Sequence, residues 1–174
     1  MGIGSLLFLS CAAACAAWAD DFHFESAGAR FGLGAEGPVS QFHQAEAFAV
    51  WDLPWAWNLG HTFWLQSKLD TSAGWLGDSR SGAGILTGGP VLALGCGKSP
   101  VSLAFGWSPT FITDHEFSSR NLGNLYQFTS YIGFNVDILS RVRLGYRLQH
   151  MSNGGFAHPN PGLNMHLFGV SYLF

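Results

Sequence analysis

The feature that most constrains this chain is a two-residue alternation of apolar and polar side chains, repeated in segments separated by turn residues. Val101, Leu103, Phe105 and Trp107 fall on one face of such a segment, and Ser102, Ala104, Gly106 and Ser108 on the other. Tyr126, Phe128, Ile132, Phe134 and Val136 likewise oppose Gln127, Thr129, Tyr131, Gly133 and Asn135. Val142, Leu144, Tyr146 and Leu148 oppose Arg141, Arg143, Arg147 and Gln149, and Phe168, Val170, Tyr172 and Phe174 oppose Gly169 and Ser171. Successive side chains of a strand point to opposite faces, so this period writes strands and not helices. The N-terminal half alternates less regularly, with strands expected near 22–34, 41–51, 60–70 and 84–95. Pro38, Pro54, Gly74, Gly77, Pro100 and Pro109 are expected in or beside the turns. Eight segments result, an even number and the smallest common size of an outer-membrane barrel.

Alternation alone fits either a soluble β-sandwich, whose apolar face is the core, or a membrane barrel, whose apolar face meets lipid. Charge decides between them. Only 11% of residues are charged, against roughly 25% in an ordinary soluble domain, while 48% are hydrophobic. The face that water would cover is rich in Gly, Ser and Gln instead. Aromatic residues gather near segment ends (Trp51, Trp55, Trp57, Trp75, Trp107, Tyr126), as in the girdles at membrane interfaces. The C-terminal Phe174, with Tyr172, Val170 and Phe168 before it, resembles the terminal strand of outer-membrane proteins. The expected fold is therefore all-β: an eight-stranded antiparallel transmembrane barrel of the Gram-negative outer membrane. Its lumen would take Arg141, Arg143 and Arg147, with Glu25, Glu46 and Asp70 as partners, because a barrel of this size is filled by side chains.

The apolar run Ile3–Ala17, with Ala17-Trp18-Ala19 ahead of Asp20-Asp21, reads as a signal peptide over 1–19, followed by a single barrel domain over 20–174. A lipoprotein signal at Cys11 or Cys15 is the rival, without a convincing lipobox at either. Cleavage leaves Cys96 as the one cysteine, so no intrachain disulfide is expected. A net charge of −3 argues against a nucleic-acid partner. His150, His158 and His166 match no common ligand spacing, and neither a metal nor a cofactor is expected. Trp55 and Trp57 are expected to anchor a periplasmic turn around Pro54, and Asp114-His115-Glu116 to serve an outer loop. Arg120 and Lys98 are weak candidates for phosphate contacts, and a second copy of the chain is a candidate partner.

Against this background one stretch stands out: Gln149-His150-Met151-Ser152-Asn153-Gly154-Gly155, at the end of the seventh segment. His150 and Ser152 share the parity of Val142 to Leu148, which sets both on the lipid face, and Asn164 shares the parity of Phe168 to Phe174 on the last segment. Polar groups facing hydrocarbon are costly, which makes a functional reason for them more pressing. With both termini in the periplasm, the end of the seventh strand lies at the outer leaflet, where the lipid is lipopolysaccharide.

His150-x-Ser152-Asn153-Gly154-Gly155, followed by Pro159-Asn160-x-Gly162 and a closing strand, resembles the lipid A 3-O-deacylase (PagL) family. Asn121-Leu122-Gly123, Phe128 and Gly133 fit the same family's spacing, so the likeness is specific over 120–174 and diffuse before it. The resemblance implies a cofactor-independent serine esterase that removes the 3-position hydroxyacyl chain of lipid A. It implies Ser152 as nucleophile, His150 as general base, and Asn153, Gly154 and Gly155 as stabilisers of the oxyanion. One departure accompanies it: the family's orienting Glu falls at Asn164. An amide can orient His150 but cannot stabilise an imidazolium by charge, and in serine proteases the Asp-to-Asn change costs about 10⁴ in turnover. Asp114 and Glu116 are the nearest substitute carboxylates. The alternatives are a non-catalytic barrel with a degenerate triad, structural or adhesive, and a lipid A acyltransferase.

Overall fold

The computed structural model describes residues 22–35 and 41–174; the expected signal peptide and Pro38 lie outside the described residues. Eight strands follow one another along the chain: β1 His23–Gly34, β2 His43–Leu59, β3 Phe63–Gly77, β4 Gly82–Cys96, β5 Val101–Ile112, β6 Tyr126–Leu139, β7 Val142–Ser152 and β8 Leu163–Leu173. Each pairs antiparallel with the next, and β8 returns to β1 from Ser26↔Leu173 to Gly34↔Met165. Closure leaves no free edge, so every strand finds its ladder partners inside the barrel.

The alternation read from the sequence is the alternation of exposure. On β4, Val91 and Ala93 are 5% and 3% exposed, whereas Leu92 between them is 43% exposed. An outward belt of Phe31, Leu103, Phe105, Ile132, Leu144 and Val170 runs around the barrel. That belt could not face water around its whole circumference; it is the surface such a barrel turns to lipid.

The interior is layered. At the end that carries the longer loops, an apolar plug of Phe42, Leu76, Ile112, Leu122, Met151 and Met165 closes the lumen. Below it, Arg30 meets Asp70 at 2.6 Å and Glu46 at 3.3 Å, while Arg147 meets Glu46 at 2.8 Å. Nearer the short turns, Lys68 and Arg143 each meet Glu25 at 2.7 Å, and Arg143 also meets Asp137 at 2.6 Å. Charges so deep would be prohibitive alone, and their mutual pairing is what permits them. Space for Arg147 comes from Gly133 opposite it, where an added Cβ would approach the Arg147 Cβ to 2.8 Å. A cavity of about 110 Å³ remains among these groups, lined in part by Arg30, Tyr131, Arg143 and Arg147.

Several expectations need correction. β2 and β3 run well past 51 and 70, to Leu59 and Gly77. Pro54 sits within β2 where the register shifts between Asp52 and Ala56, because a bulge leaves a residue that needs no ladder N–H. Trp55 and Trp57 therefore stand exposed on the end of a strand, and the turn is made at 60–62, with Gly60 at φ 74°. Gly74 and Pro109 are likewise inside strands, in β3 and β5. Arg141 does not enter the lumen: it precedes the start of β7 and donates instead to the Tyr172 hydroxyl at 2.6 Å on the outside. Arg143 and Arg147 do point inward, and their partners are the expected Glu25, Glu46 and Asp70.

Candidate active site

The last turn of β7 and the first residues of β8 bring three polar side chains to the lipid face. His150 and Asn164 are direct register partners, and the His150 Nδ1 to Asn164 Oδ1 distance is 2.7 Å. An amide oxygen only accepts, so with Oδ1 facing the ring the proton sits on Nδ1, and the neutral imidazole carries its lone pair on Nε2. Ser152, two residues on, shares the face and lines one groove with His150. Among the described residues no hydrogen bond within 3.5 Å joins Ser152 to His150; such contacts are often loose until a substrate is bound.

Two shallow grooves meet at His150. One, of about 340 Å³, lies toward β5 and is floored by Trp107, Phe128 and Phe156, with Ser152 and Gly154 at its rim. Its Trp107 and Phe128 rings stack at 5.5 Å. The other, of about 470 Å³, runs toward the short-turn end along Ile132, Leu148, Asn164 and His166. Ser130, the β6 register partner of His150, borders both. Ser130 escaped the sequence reading, although the signal was present: it breaks the apolar parity of Phe128, Ile132 and Phe134.

The loop after β7 is stapled from within. Asn153 is fully buried; its Nδ2 donates to the carbonyls of Leu122, Ala157 and Pro159 at 3.0–3.1 Å, and its Oδ1 accepts the Gly155 N–H at 2.9 Å. Its own N–H goes to Asn160 Oδ1 at 3.1 Å. Of the three expected oxyanion donors, the structure thus commits Asn153 and Gly155 to shaping the loop. The Gly154 N–H has no hydrogen-bond partner among the described residues and sits at the groove rim beside Ser152.

A second clamp comes from the loop between β5 and β6. Arg120 Nη1 donates to the carbonyls of Pro161 and Gly162 at 3.2 and 2.6 Å. Gly162, at φ 66°, packs so closely that an added Cβ would stand 2.8 Å from His150 Cε1. Arg120 therefore holds the strap that lies against the imidazole. Its neighbour Ser119 donates through N–H and Oγ to Asp78 Oδ2 at 2.9 and 2.8 Å. Burial by itself would raise the Asp78 pKa, but the donors from Arg80, Ser81 and Ser119 outweigh it and hold this carboxyl well below the usual carboxylate range.

Asp114 and Glu116 line neither groove. Asp114 Oδ1 accepts the Glu116 N–H at 3.0 Å, and Glu116 Oε1 accepts from Asn121 at 3.2 Å, both within their own loop. His158 lies in the loop after β7, and His166 pairs with Tyr146 at 2.8 Å.

Fold and site together define the class: a closed eight-stranded membrane barrel that bears a serine, a histidine and an amide hydrogen-bonded to that histidine on its apolar outer face. The family model described as lipid A 3-O-deacylase (PagL) matches residues 29–173, and the chain belongs to that family. Lipid A deacylase PagL of Bordetella bronchiseptica is 32% identical over 69 residues, which is 40% of this chain and 39% of that relative's length. A crystal structure described as that of the outer membrane enzyme PagL matches with a TM-score of 0.69 at 19% identity, covering 86% of this chain and 98% of the other. A designed transmembrane β-barrel matches at 0.52 and 12% identity, over 87% and 95% of the two chains. At such identities these two likenesses concern the fold alone, which is that of an outer-membrane-type barrel.

Proposed function

We propose that this protein is a lipid A 3-O-deacylase of the outer membrane, an esterase whose nucleophile is Ser152 and whose base is His150. The observation that carries the reading is the 2.7 Å bond between His150 Nδ1 and Asn164 Oδ1, made beside Ser152 on a face otherwise given to lipid. Hydrogen-bonding groups are rare there, and this set has the order of an activated nucleophile: a hydroxyl, a base and an orienting group. With the short turns in the periplasm, the site lies in the outer leaflet, where lipid A presents its acyl esters.

In the proposed cycle the Ser152 hydroxyl attacks the ester carbonyl carbon as His150 Nε2 takes its proton. The Gly154 N–H supports the negative oxygen that forms. Collapse breaks the bond to the glucosamine O3, which leaves with the proton from His150. Water then attacks the acyl-serine by the same route and releases the fatty acid. Asn164 keeps the tautomer but adds no charge, and an ester demands less than an amide. This makes a carboxylate-free orienting group sufficient for a slow esterase.

The test is mass spectrometry of lipid A from cells expressing the wild type beside Ser152→Ala. Loss of one acyl chain together with free fatty acid, in the wild type only, supports the esterase. A heavier acceptor lipid would indicate transfer instead. Unchanged lipid A in both, with the barrel folded in the membrane, would leave a non-catalytic barrel whose triad has decayed at Asn164.

A further inference from the structure

The Ser130 hydroxyl faces lipid, has no hydrogen-bond partner among the described residues, and takes no part in the proposed cleavage. One register row crosses four strands on this face: Trp107 on β5, Ser130 on β6, His150 on β7 and Asn164 on β8. Ser130 therefore flanks the base on the side away from Asn164. Direct partners of this kind hold their Cβ atoms about 4.5–5.5 Å apart. An unpaired hydroxyl against hydrocarbon is costly, and here that cost falls beside the reacting groups.

The surroundings of His150 decide what can reach this hydroxyl. On the β8 side the ring is bonded to Asn164, and the Gly162 strap lies against Cε1. The β6 side is open. Two grooves diverge there, and Ser130 borders both. Ser152 lines only the one toward Trp107, Phe128 and Phe156, which assigns that groove to the chain being cleaved. The groove along Ile132 and Leu148 contains His150 and Ser130 but not the nucleophile, and is left for a second chain. In the proposed cycle the leaving oxygen takes its proton from His150 Nε2. With the β8 side closed, the substituent on the adjacent sugar carbon comes to the open side, next to Ser130.

We infer that the fork at Ser130 holds a second acyl chain, vicinal to the one cleaved, and that the Ser130 hydroxyl bonds the amide that links this chain to the sugar. The inference rests on the esterase reading above and adds what the site requires beside the ester. A glucosamine acylated at O3 carries its nitrogen on the adjacent carbon. An amide there offers a donor and a carbonyl acceptor to a hydroxyl that can use either, whereas an ester offers no donor and a weaker acceptor. A site built to bond a polar group penalises the analogue that lacks it. In an open groove the discrimination amounts to about one hydrogen bond, on the order of tenfold in kcat/KM.

The experiment offers the purified barrel in detergent two sugar esters with the same hydroxydecanoyl chain at O3. One carries an acetamido group on the adjacent carbon, the other an acetoxy group, so that chain burial does not enter the comparison. The wild type should cleave the amide-flanked ester about tenfold faster in kcat/KM. Ser130→Ala should bring the ratio close to one by slowing the amide-flanked ester, and Ser130→Thr, which keeps the hydroxyl, should retain the preference. Replacing the acetamido group by a decanoylamido group should lower KM in the wild type, and Ser130→Leu, which fills the fork, should abolish that gain. Folding of each variant is read from its heat-modifiable gel mobility, and Ser130→Val, the hydroxyl-free counterpart of Ser130→Thr, serves where Ser130→Ala does not fold. Equal cleavage of the two short esters by the wild type, a ratio unmoved in a folded variant without the hydroxyl, or a KM indifferent to the longer amide overturns the inference while the esterase stands. Cleavage of no ester by the folded wild type sinks the esterase reading, and the second-chain site with it.

Discussion

Two regions of this barrel break the rule that polar groups avoid apolar surroundings, and they break it in opposite ways. In the lumen, Arg30, Glu46, Asp70 and Arg147 are buried and answer one another's charge. Glu46 accepts in addition from Gln44 and Ser72, at 2.7 and 3.0 Å. On the lipid face, His150 has one nitrogen engaged by Asn164, and the Ser152 hydroxyl has no hydrogen-bond partner among the described residues. The lumen charges are spent on one another, whereas the Ser152 hydroxyl stays available to a substrate. Neutralised charges inside and unspent hydrogen-bonding groups outside separate what holds the barrel together from what it can do.

If that division is right, changes in the lumen should move stability and leave chemistry alone. Glu46→Ala strands Arg30 and Arg147 without their shared carboxylate. Breaking such a buried pair costs about 3–5 kcal/mol, which should lower the urea midpoint of the barrel in lipid vesicles. The rate per folded molecule should stay the same, and a fall in that rate would join the two regions.

On the lipid face the expectation reverses. Asn164→Glu restores the charge that an imidazolium lacks here and should raise kcat by about tenfold or more, with little change in the unfolding midpoint. A lower rate would mean that the amide is the better fit for this His150. Arg120→Met releases the Gly162 strap and should reduce kcat roughly fivefold with KM unchanged, since misplacing the base affects the reaction more than binding. An unchanged kcat would remove Arg120 from the positioning of His150.

The smallest effect is expected at Asp78. Because its folded pKa is depressed, its contribution is present above the unfolded value of about 3.9 and is lost as pH falls through the lower folded one. The thermal midpoint should therefore hold from pH 7 to about 4 and decline below it, and Asp78→Asn should flatten part of that decline. An identical acid limb in wild type and variant would show that Asp78 does not link the loops.

Much of this was legible in the residues. Strong alternation placed β5, β6, β7 and β8, and parity alone put His150, Ser152 and Asn164 on one face. What failed did so for physical reasons. Pro54, Gly74 and Pro109 look like turn residues, yet a bulge (Pro54), a close backbone approach (Gly74) or a break in the pairing with β4 (Pro109) inside a strand uses the same residue types. Parity counts only within a strand, so it misled for Arg141, which lies just before β7. The resemblance names Asn153 as a stabiliser of the oxyanion, and a sequence does not say which carbonyls claim its amide; here three do. Ser130 breaks the apolar parity around it, but only its register with His150 gives that break a meaning, and the Arg120 clamp joins two loops far apart in sequence, where no local pattern could announce it.

The most direct test of the central claim is intact-mass analysis of the purified barrel after treatment with a long-chain alkyl fluorophosphonate. The account predicts one phosphonyl adduct per chain, mapped to Ser152, formed slowly in Asn164→Ala and not at all in His150→Ala. An adduct on another residue, or a Ser152 adduct formed equally fast without His150, would contradict it.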